Sequence, residues 1–330
     1  MFRSTRVGAL LIATTIGLSA TLSCAGPGDN GTPAPVSTGM FPRTLDTTMG
    51  PVTIPAPPRR VMVLDTAELD SVTLLGITPI GAVVPPTKTR GGYPGYLHGK
   101  ADTAIDVGPL LEPNLERIAS LRPDLILSSK LRHERIYDKL SRIAPTVFTE
   151  TTGGPWKANL AVHASALGLE QQAAAALASY EARARALGAS IRERNGGTPP
   201  VVSVIRFLAG STRLYLSNSY SGVVLADIGL RRPAAQIASD PDAKNLLELS
   251  PERIDQADAD LVFVATIDDV DKTKKQEFTT GPLWRDLPAV KRGMVFEVDD
   301  EVWMSGIGVQ AAESILSDVA AATGAQLPTR

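Results

Sequence analysis

Cationic and aromatic side chains are concentrated in the loops expected at the ends of predicted strands. Guanidinium groups pair well with carboxylates and other planar anions, and aromatic faces cover flat or apolar parts of a ligand. The sequence therefore predicts a site for an anionic, partly apolar small molecule. The candidate contacts are Arg90, Tyr93, Tyr96, Lys130, Arg132, Trp156, Arg206, Tyr220 and Trp303.

The histidines do not form a metal-binding pattern. His98, His133 and His163 are scattered over separate elements, with no pair at i, i+4. Zinc and manganese sites use clustered histidines and carboxylates. No resident metal is predicted, although haem ligation by a loop tyrosine or histidine stays open.

Enzyme signatures are weak. Gly306 to Ala311 reads G-I-G-V-Q-A, which matches the dinucleotide fingerprint. The match opens the last predicted helix, and no strand follows to supply an acidic ribose ligand. These glycines are predicted to ease a helix start instead. The chain also lacks a Gly-x-Ser-x-Gly nucleophile elbow, so we expect a protein that is not an enzyme.

A long helical segment from Trp156 to Arg194 must position these loops. It breaks at Gly168 and resumes at Glu170, and it ends before Asn195-Gly196-Gly197, a strong helix-stop signal. The resumed part is roughly 37 Å long at about 1.5 Å per residue. That length can join two compact domains. Its apolar stripe is Leu177, Tyr180, Ala184, Leu187 and Ile191.

A repeated pattern flanks this helix. Glu-Arg-Ile occurs at 116–118 and at 252–254, and each copy precedes an Asp-Leu pair, at 124–125 and 260–261, by the same offset. Each copy predicts a short helix that leads into a buried parallel strand. We therefore predict an α/β fold of two Rossmann-like lobes with parallel sheets, joined by the long helix. Ligands of such sheets bind beyond the carboxyl ends of the strands, here in a cleft between the lobes.

The first residues predict export. Arg3 and Arg6 precede an apolar stretch of signal-peptide length, and Thr21-Leu22-Ser23-Cys24 resembles a bacterial lipobox. Cys24, the only cysteine, would then be lipidated; an ordinary secretory signal is the alternative. The predicted organisation is a signal peptide at 1–23, a flexible tether and edge strand at 24–54, a first lobe at 55–155, the interlobe helix at 156–196 and a second lobe at 197–330. The net charge of −2 does not indicate a nucleic-acid partner.

Short sequence blocks between residues 55 and 325 resemble the helical-backbone (class III) substrate-binding proteins of ABC importers, which serve ferric siderophores, haem and vitamin B12. The iron-siderophore branch, which includes ferric-citrate-type binders, is the most similar. The blocks include Pro58-Arg59-Arg60-Val61, Asp106-Val107-Gly108, Glu112-Pro113-Asn114-Leu115-Glu116, Leu225-Ala226-Asp227-Ile228-Gly229 and Leu283-Trp284-Arg285-Asp286-Leu287-Pro288.

The resemblance implies that a glutamate on each lobe docks onto arginines of the permease. The matching positions are Glu116 and Glu252. Alternatively, each glutamate only stabilises the first turn of its helix, by about 0.3–1 kcal/mol. Some hydroxamate-siderophore binders carry an arginine just after the Asp-Val-Gly strand, where this chain has Leu110 and Leu111. Their ligand chemistry is therefore not transferred.

The resulting hypothesis is a monomeric receptor, lipid-anchored to the outer face of the cytoplasmic membrane. It would capture a ferric siderophore and deliver it to an ABC permease, with iron present only as part of the chelate. A haem-binding receptor and an envelope enzyme that uses nucleotide sugars are the alternatives.

Overall fold

The computed structural model describes residues 39–85, 92–240, 244–267 and 272–329. The described part begins with an antiparallel hairpin of β1 (Arg43–Thr47) and β2 (Gly50–Ile54), which forms a separate two-stranded sheet. Among the described residues, no helix combines the length and apolarity needed to cross a membrane. Cys24 and the predicted signal peptide lie outside the described residues.

The first lobe contains a five-stranded sheet in the order β5-β4-β3-β6-β7, with all strands parallel. Its strands are β3 (Val61–Val63), β4 (Gly81–Val84), β5 (Ile105–Pro109), β6 (Leu125–Ser129) and β7 (Thr146–Thr149). Its helices are α1 (Thr66–Leu74), α2 (Leu115–Ser120), α3 (Lys130–His133) and α4 (Tyr137–Ser141). Strands β3, β6 and β7 are buried throughout, as expected for a sheet covered on both faces.

The long helical segment forms two helices, α5 (Trp156–Leu167) and α6 (Glu170–Arg194). Gly168 ends α5 in the left-handed conformation, with a φ of 70°. Helix α5 packs on α1 and β7 of the first lobe, whereas α6 packs on helices of the second. Four of the five predicted stripe residues of α6 are buried, from Tyr180 to Ile191. The predicted connecting helix is confirmed.

The second lobe contains a sheet in the order β10-β9-β8-β11-β12. Its strands are β8 (Val202–Leu208), β9 (Ser211–Tyr215), β10 (Leu246–Glu248), β11 (Leu261–Thr266) and β12 (Val295–Val298). Its helices are α7 (Tyr220–Ile228), α8 (Lys275–Thr280), α9 (Pro282–Asp286), α10 (Pro288–Lys291) and α11 (Val309–Thr323). Strand β9 is antiparallel to both of its neighbours, so the prediction of a parallel sheet was wrong for this strand. The physical reason is the short Ala209-Gly210 turn, which can only return the chain antiparallel.

The repeated pattern occupies equivalent places in the two sheets. Glu116 follows β5, the edge strand of the first sheet, and Glu252 follows β10, the edge strand of the second. In each lobe the segment then leads into a strand beside the first strand of that lobe, β6 beside β3 and β11 beside β8. The second copy is a 3₁₀ segment, Pro251–Ala257, interrupted at Arg253, rather than the predicted helix.

The two lobes meet where the start of α11 packs against α1. The backbone N–H groups of Gln310 and Ala311 donate to the Asp70 carboxylate at 3.2 and 3.1 Å. A side chain on Gly308 would lie 2.3 Å from that carboxylate. Glycine is therefore needed here for a close approach, and not only for the predicted ease of starting a helix. Burial raises the pKa of Asp70 to about 6, although these two N–H groups oppose the rise.

Candidate ligand-binding cleft

A cleft of about 340 Å³ lies between the lobes. The first lobe supplies Leu131, Arg132 and Thr151–Gly153, which follow β6 and β7. The remaining lining residues belong to the second lobe and include Arg206, Arg213, Tyr215, Tyr220 and Trp303. The cleft therefore lies at the carboxyl ends of parallel strands, where ligands of such sheets bind.

Two of the larger cavities show why the cleft between the lobes is the candidate ligand site. One of about 790 Å³ shares Thr151, Thr152 and Asn245 with the cleft and extends it toward Lys244. Another, of about 570 Å³, is lined by Pro200, Asp260 and Leu261, which lie at the amino ends of β8 and β11. Only the second lobe and α6 line it, so it is not a site between the lobes.

Arg206 is held by a buried carboxylate of its own lobe. Its Nε donates to Oδ1 of Asp300 at 2.6 Å and its Nη2 to Oδ2 at 2.7 Å. Its Nη1 donates to the Tyr215 hydroxyl at 3.2 Å, and Nη2 also reaches Ser305 at 3.4 Å. Burial alone would lower the pKa of Arg206, but Asp300 raises it on balance. Most of its donors are therefore occupied within the protein.

Arg132 has a similar arrangement in the first lobe. Its Nε donates to Oδ2 of Asp65 at 2.9 Å, and Asp65 also accepts the N–H of Thr66 at the start of α1. Burial and the nearby Glu68 raise the pKa of Asp65, while Arg132 lowers it. Because a guanidinium has five N–H donors, the outer edge of Arg132 stays available to a ligand.

Arg213 was missed by the sequence reasoning. It lies directly opposite Arg206 in the β8–β9 pair, so the two guanidinium groups start from the same face of the sheet. Within the described part of the chain Arg213 has no carboxylate partner, and its buried Nε has no hydrogen-bond acceptor. The signal was the alternation in Ser211–Tyr215, whose half-exposed positions include Arg213 and Tyr215.

Two predicted aromatic residues line the same cleft. The Tyr220 hydroxyl donates to the Gly308 carbonyl at 2.7 Å. Trp303 stacks on Phe263 with ring centroids 4.5 Å apart, and its Nε1 donates to Asp318 at 2.7 Å. Their polar atoms already have partners, and both side chains are almost completely buried, so they support the wall of the cleft from behind.

The other predicted contacts that the structure describes are not among the residues that line the cleft. Tyr93 donates to backbone carbonyls of its own lobe, including that of Ala104 at 3.2 Å. Tyr96 is buried, and its ring packs against Gly306. Lys130 forms an ion pair with Glu150 at 3.2 Å. Trp156 is buried and has edge-to-face contacts with Tyr180 and Tyr220. Arg90 lies outside the described residues.

The histidines also lie outside the cleft lining. His133 contacts the hydroxyl of Ser128 and the carbonyl of Leu110, each at 2.7 Å. His163 is buried beside Ser71, and its Nε2 lies 3.6 Å from Glu68. Over the described ranges, no group of three or more histidine, cysteine or acidic side chains is arranged to hold a metal ion.

Glu116 and Glu252 are exposed at the starts of their segments. Asn114 caps α2 by accepting the N–H of Arg117 at 2.9 Å, so Glu116 is not itself the cap. At Glu252, hydrogen bonds to its own backbone N–H and to Ser250 lower the pKa. Both carboxylates are therefore available to a partner surface.

Comparison with known proteins gives consistent matches. Residues 61–302 match a family described as periplasmic binding protein. A probable siderophore-binding lipoprotein of Bacillus subtilis, YfiY, is 38% identical over 288 residues, which cover 84% of this chain and 86% of that protein. The Fe(3+)-citrate-binding protein YfmC of the same organism is 32% identical over 281 residues, with 84% of each chain covered. Staphylococcus aureus SirA complexed with staphyloferrin B superposes with a TM-score of 0.79 at 31% identity, covering 87% of this chain and all of the other.

Proposed function

This chain belongs to the periplasmic binding protein family, and from that premise we propose that it captures a ferric siderophore between its lobes and delivers it to an ABC permease. It is a substrate-binding protein and not an enzyme. The observation that carries the proposal is the interlobe cleft itself, where Arg132, Arg206 and Arg213 from both lobes converge.

The chemistry of the cleft favours a chelate with free or iron-bound carboxylates. Guanidinium groups bind carboxylates in a planar, two-pronged geometry, and the almost completely buried Tyr220 and Trp303 support the wall of the cleft. The name of one relative supports the same class, because YfmC is named for ferric citrate. We propose a carboxylate-type ferric siderophore as the ligand.

Delivery would use Glu116 and Glu252. Both are exposed, and each follows the edge strand of its sheet in its lobe, so one permease surface could contact both. The chain would be held at the outer face of the cytoplasmic membrane by a lipid on Cys24, and it would act as a monomer.

Ligand binding can be measured by quenching of tryptophan fluorescence, because Trp303 lines the cleft and Trp156 contacts Tyr220. Ferric citrate and a ferric carboxylate siderophore should quench saturably, and the same chelators without iron should bind more weakly. A tris-hydroxamate, a tris-catecholate and haem serve as comparison ligands. If no ferric chelate binds, or if haem alone binds with a Soret shift, the proposal is wrong.

Docking can be tested separately from capture. The double change Glu116→Lys and Glu252→Lys should leave chelate affinity unchanged and strongly reduce iron uptake in cells. Glu134→Lys, at an exposed 3₁₀ residue, is the matched control and should leave uptake normal. Unchanged uptake in the double variant would show that the two glutamates only stabilise their helical turns.

A further inference from the structure

The charges around the cleft form an unequal set. Its described lining contains three charged side chains, all arginines: Arg132, Arg206 and Arg213. The carboxylates that pair with two of these arginines lie behind them and do not line the cleft. Asp65 pairs with Arg132 and Asp300 with Arg206, and both carboxylates are almost completely buried. Arg213 has no such partner among the described residues.

We infer that Asp65 and Asp300 set the charge selectivity of the cleft: each neutralises one arginine, so that the described lining presents a single uncompensated guanidinium and the cleft discriminates against strongly anionic chelates. The inference rests on the proposed function and specifies the ligand class further. Asp65 and Asp300 do not line the cleft. They would act through the arginines, as positioning and charge-setting residues.

The hydrogen-bond geometry supports this division of roles. Asp300 binds two nitrogens of Arg206, and Tyr215 and Ser305 take further donors. Arg206 therefore has few free N–H donors for a ligand and would attract an anion mainly through its positive charge. The adjacent carboxylate of Asp300 reduces that attraction. Among the described residues, no carboxylate offsets the charge on the Arg213 guanidinium, and its buried Nε has no acceptor.

Burial strengthens the effect of each carboxylate. The side chains of Asp65 and Asp300 are 1% and 6% exposed, so water screens their charges poorly. A fixed negative charge behind the cleft raises the free energy of a bound anion in proportion to the charge of that anion. A neutral chelate would not experience this cost. Selectivity by ligand charge is the consequence that distinguishes this role from simple support of an arginine.

The test compares affinities for chelates that differ in net charge. Fluorescence titrations would use a strongly anionic ferric tris-catecholate, ferric citrate and a neutral ferric tris-hydroxamate. Asp300→Asn and Asp65→Asn keep an oxygen acceptor for the arginine, and asparagine can still cap α1. Each change should raise the ratio of anionic to neutral affinity by on the order of tenfold, and added salt should reduce that gain.

Two controls complete the design. Glu313→Gln removes a buried carboxylate that pairs with Arg183 between α6 and α11, away from the cleft, and should leave the ratio unchanged. Arg213→Gln removes the uncompensated charge and should lower the ratio by about tenfold. This second variant also tests the inference if either asparagine variant fails to fold, which thermal melting would show.

The outcomes separate the inference from the proposed function. If the unmodified protein binds no chelate, both fail. If it binds chelates but the asparagine variants lose the same factor for all of them, Asp65 and Asp300 only hold the arginines in place, and the charge-selectivity inference alone is overturned. A ratio that rises in both variants and not in Glu313→Gln supports it.

Discussion

The two lobes share a strand order but differ in how their second strand is reached. In the first lobe, helix α1 connects β3 to β4, and the strands are parallel. In the second lobe, Ala209 and Gly210 connect β8 to β9, and the strands are antiparallel. The same sheet position therefore runs in opposite directions in the two halves.

Because of this difference, the two lobes contribute different residues to the cleft and to the contact between them. The hairpin places Arg213 and Tyr215 beside Arg206, so the second lobe supplies two of the three arginines. The crossover helix of the first lobe instead provides Asp70, which receives the start of α11. The second lobe thus supplies most of the ligand-facing charge, and α1 of the first lobe supplies a main contact that joins the halves.

The largest expected effect concerns Asp70, which only the crossover helix provides. Its pKa in the folded protein, about 6, lies above the ordinary value of 3.8. Protonation therefore favours folding: this contribution is fully present below pH 3.8 and is lost as the pH rises through about 6. The difference amounts to about 3 kcal/mol. Asp70→Asn should thus gain stability relative to the unmodified protein as the pH rises from 4 to 7 in urea-unfolding measurements. A difference that does not vary with pH would contradict the placement of a buried carboxylate at this contact.

Substitution of Gly308 tests how closely the backbone must approach Asp70 at the same contact. Gly308→Ala would place a methyl group 2.3 Å from the Asp70 carboxylate, and we expect a loss of about 2 kcal/mol in unfolding free energy. Gly95→Ala is the matched control, because a Cβ there meets no atom within 4 Å. Equal unfolding free energies of the two variants would mean that the contact between α11 and Asp70 accommodates the added methyl group without loss of stability.

Substitutions of the cleft arginines test whether the second lobe contributes more to ligand binding than the first. Arg213→Ala should weaken chelate binding about thirtyfold, or about 2 kcal/mol, because it removes a charge that no carboxylate of the described residues offsets. Arg132→Ala should cost about tenfold or less, because its side chain is 28% exposed and already paired with Asp65. Arg185→Ala, on the exposed face of α6, is the control. A larger loss at Arg132 than at Arg213 would reverse the comparison.

The hairpin turn gives the smallest expected effect. Gly210 has a φ of 70°, which costs an L-residue about 1 kcal/mol. Gly210→Ala should lower the unfolding free energy by that amount, and Gly210→Asn by less, since asparagine tolerates this conformation better. If both variants matched the unmodified protein in urea unfolding, the turn would not constrain β9.

Part of the site could be recognised from isolated residues. Arg132, Arg206, Tyr220 and Trp303 line the cleft as placed, because each lies near the end of a predicted strand. Lys130 and Trp156 were predicted from the same kind of loop. In the structure each contacts neighbouring residues of the fold and does not line the cleft. Spacing along the chain shows which end of an element a residue occupies. It does not show which other side chains that residue will contact in the folded protein.

The sequence by itself determined the long helix, the repeated helix-strand pattern and the two-lobed α/β class, because helical periodicity and short apolar runs are local properties that a chain carries in its order of residues. Only the tertiary structure decided that β9 runs antiparallel, that Arg213 faces Arg206, and that Asp65 and Asp300 lie behind the cleft arginines. Those relations join residues far apart in the chain, and they depend on a two-residue turn and on buried pairings that no local pattern encodes.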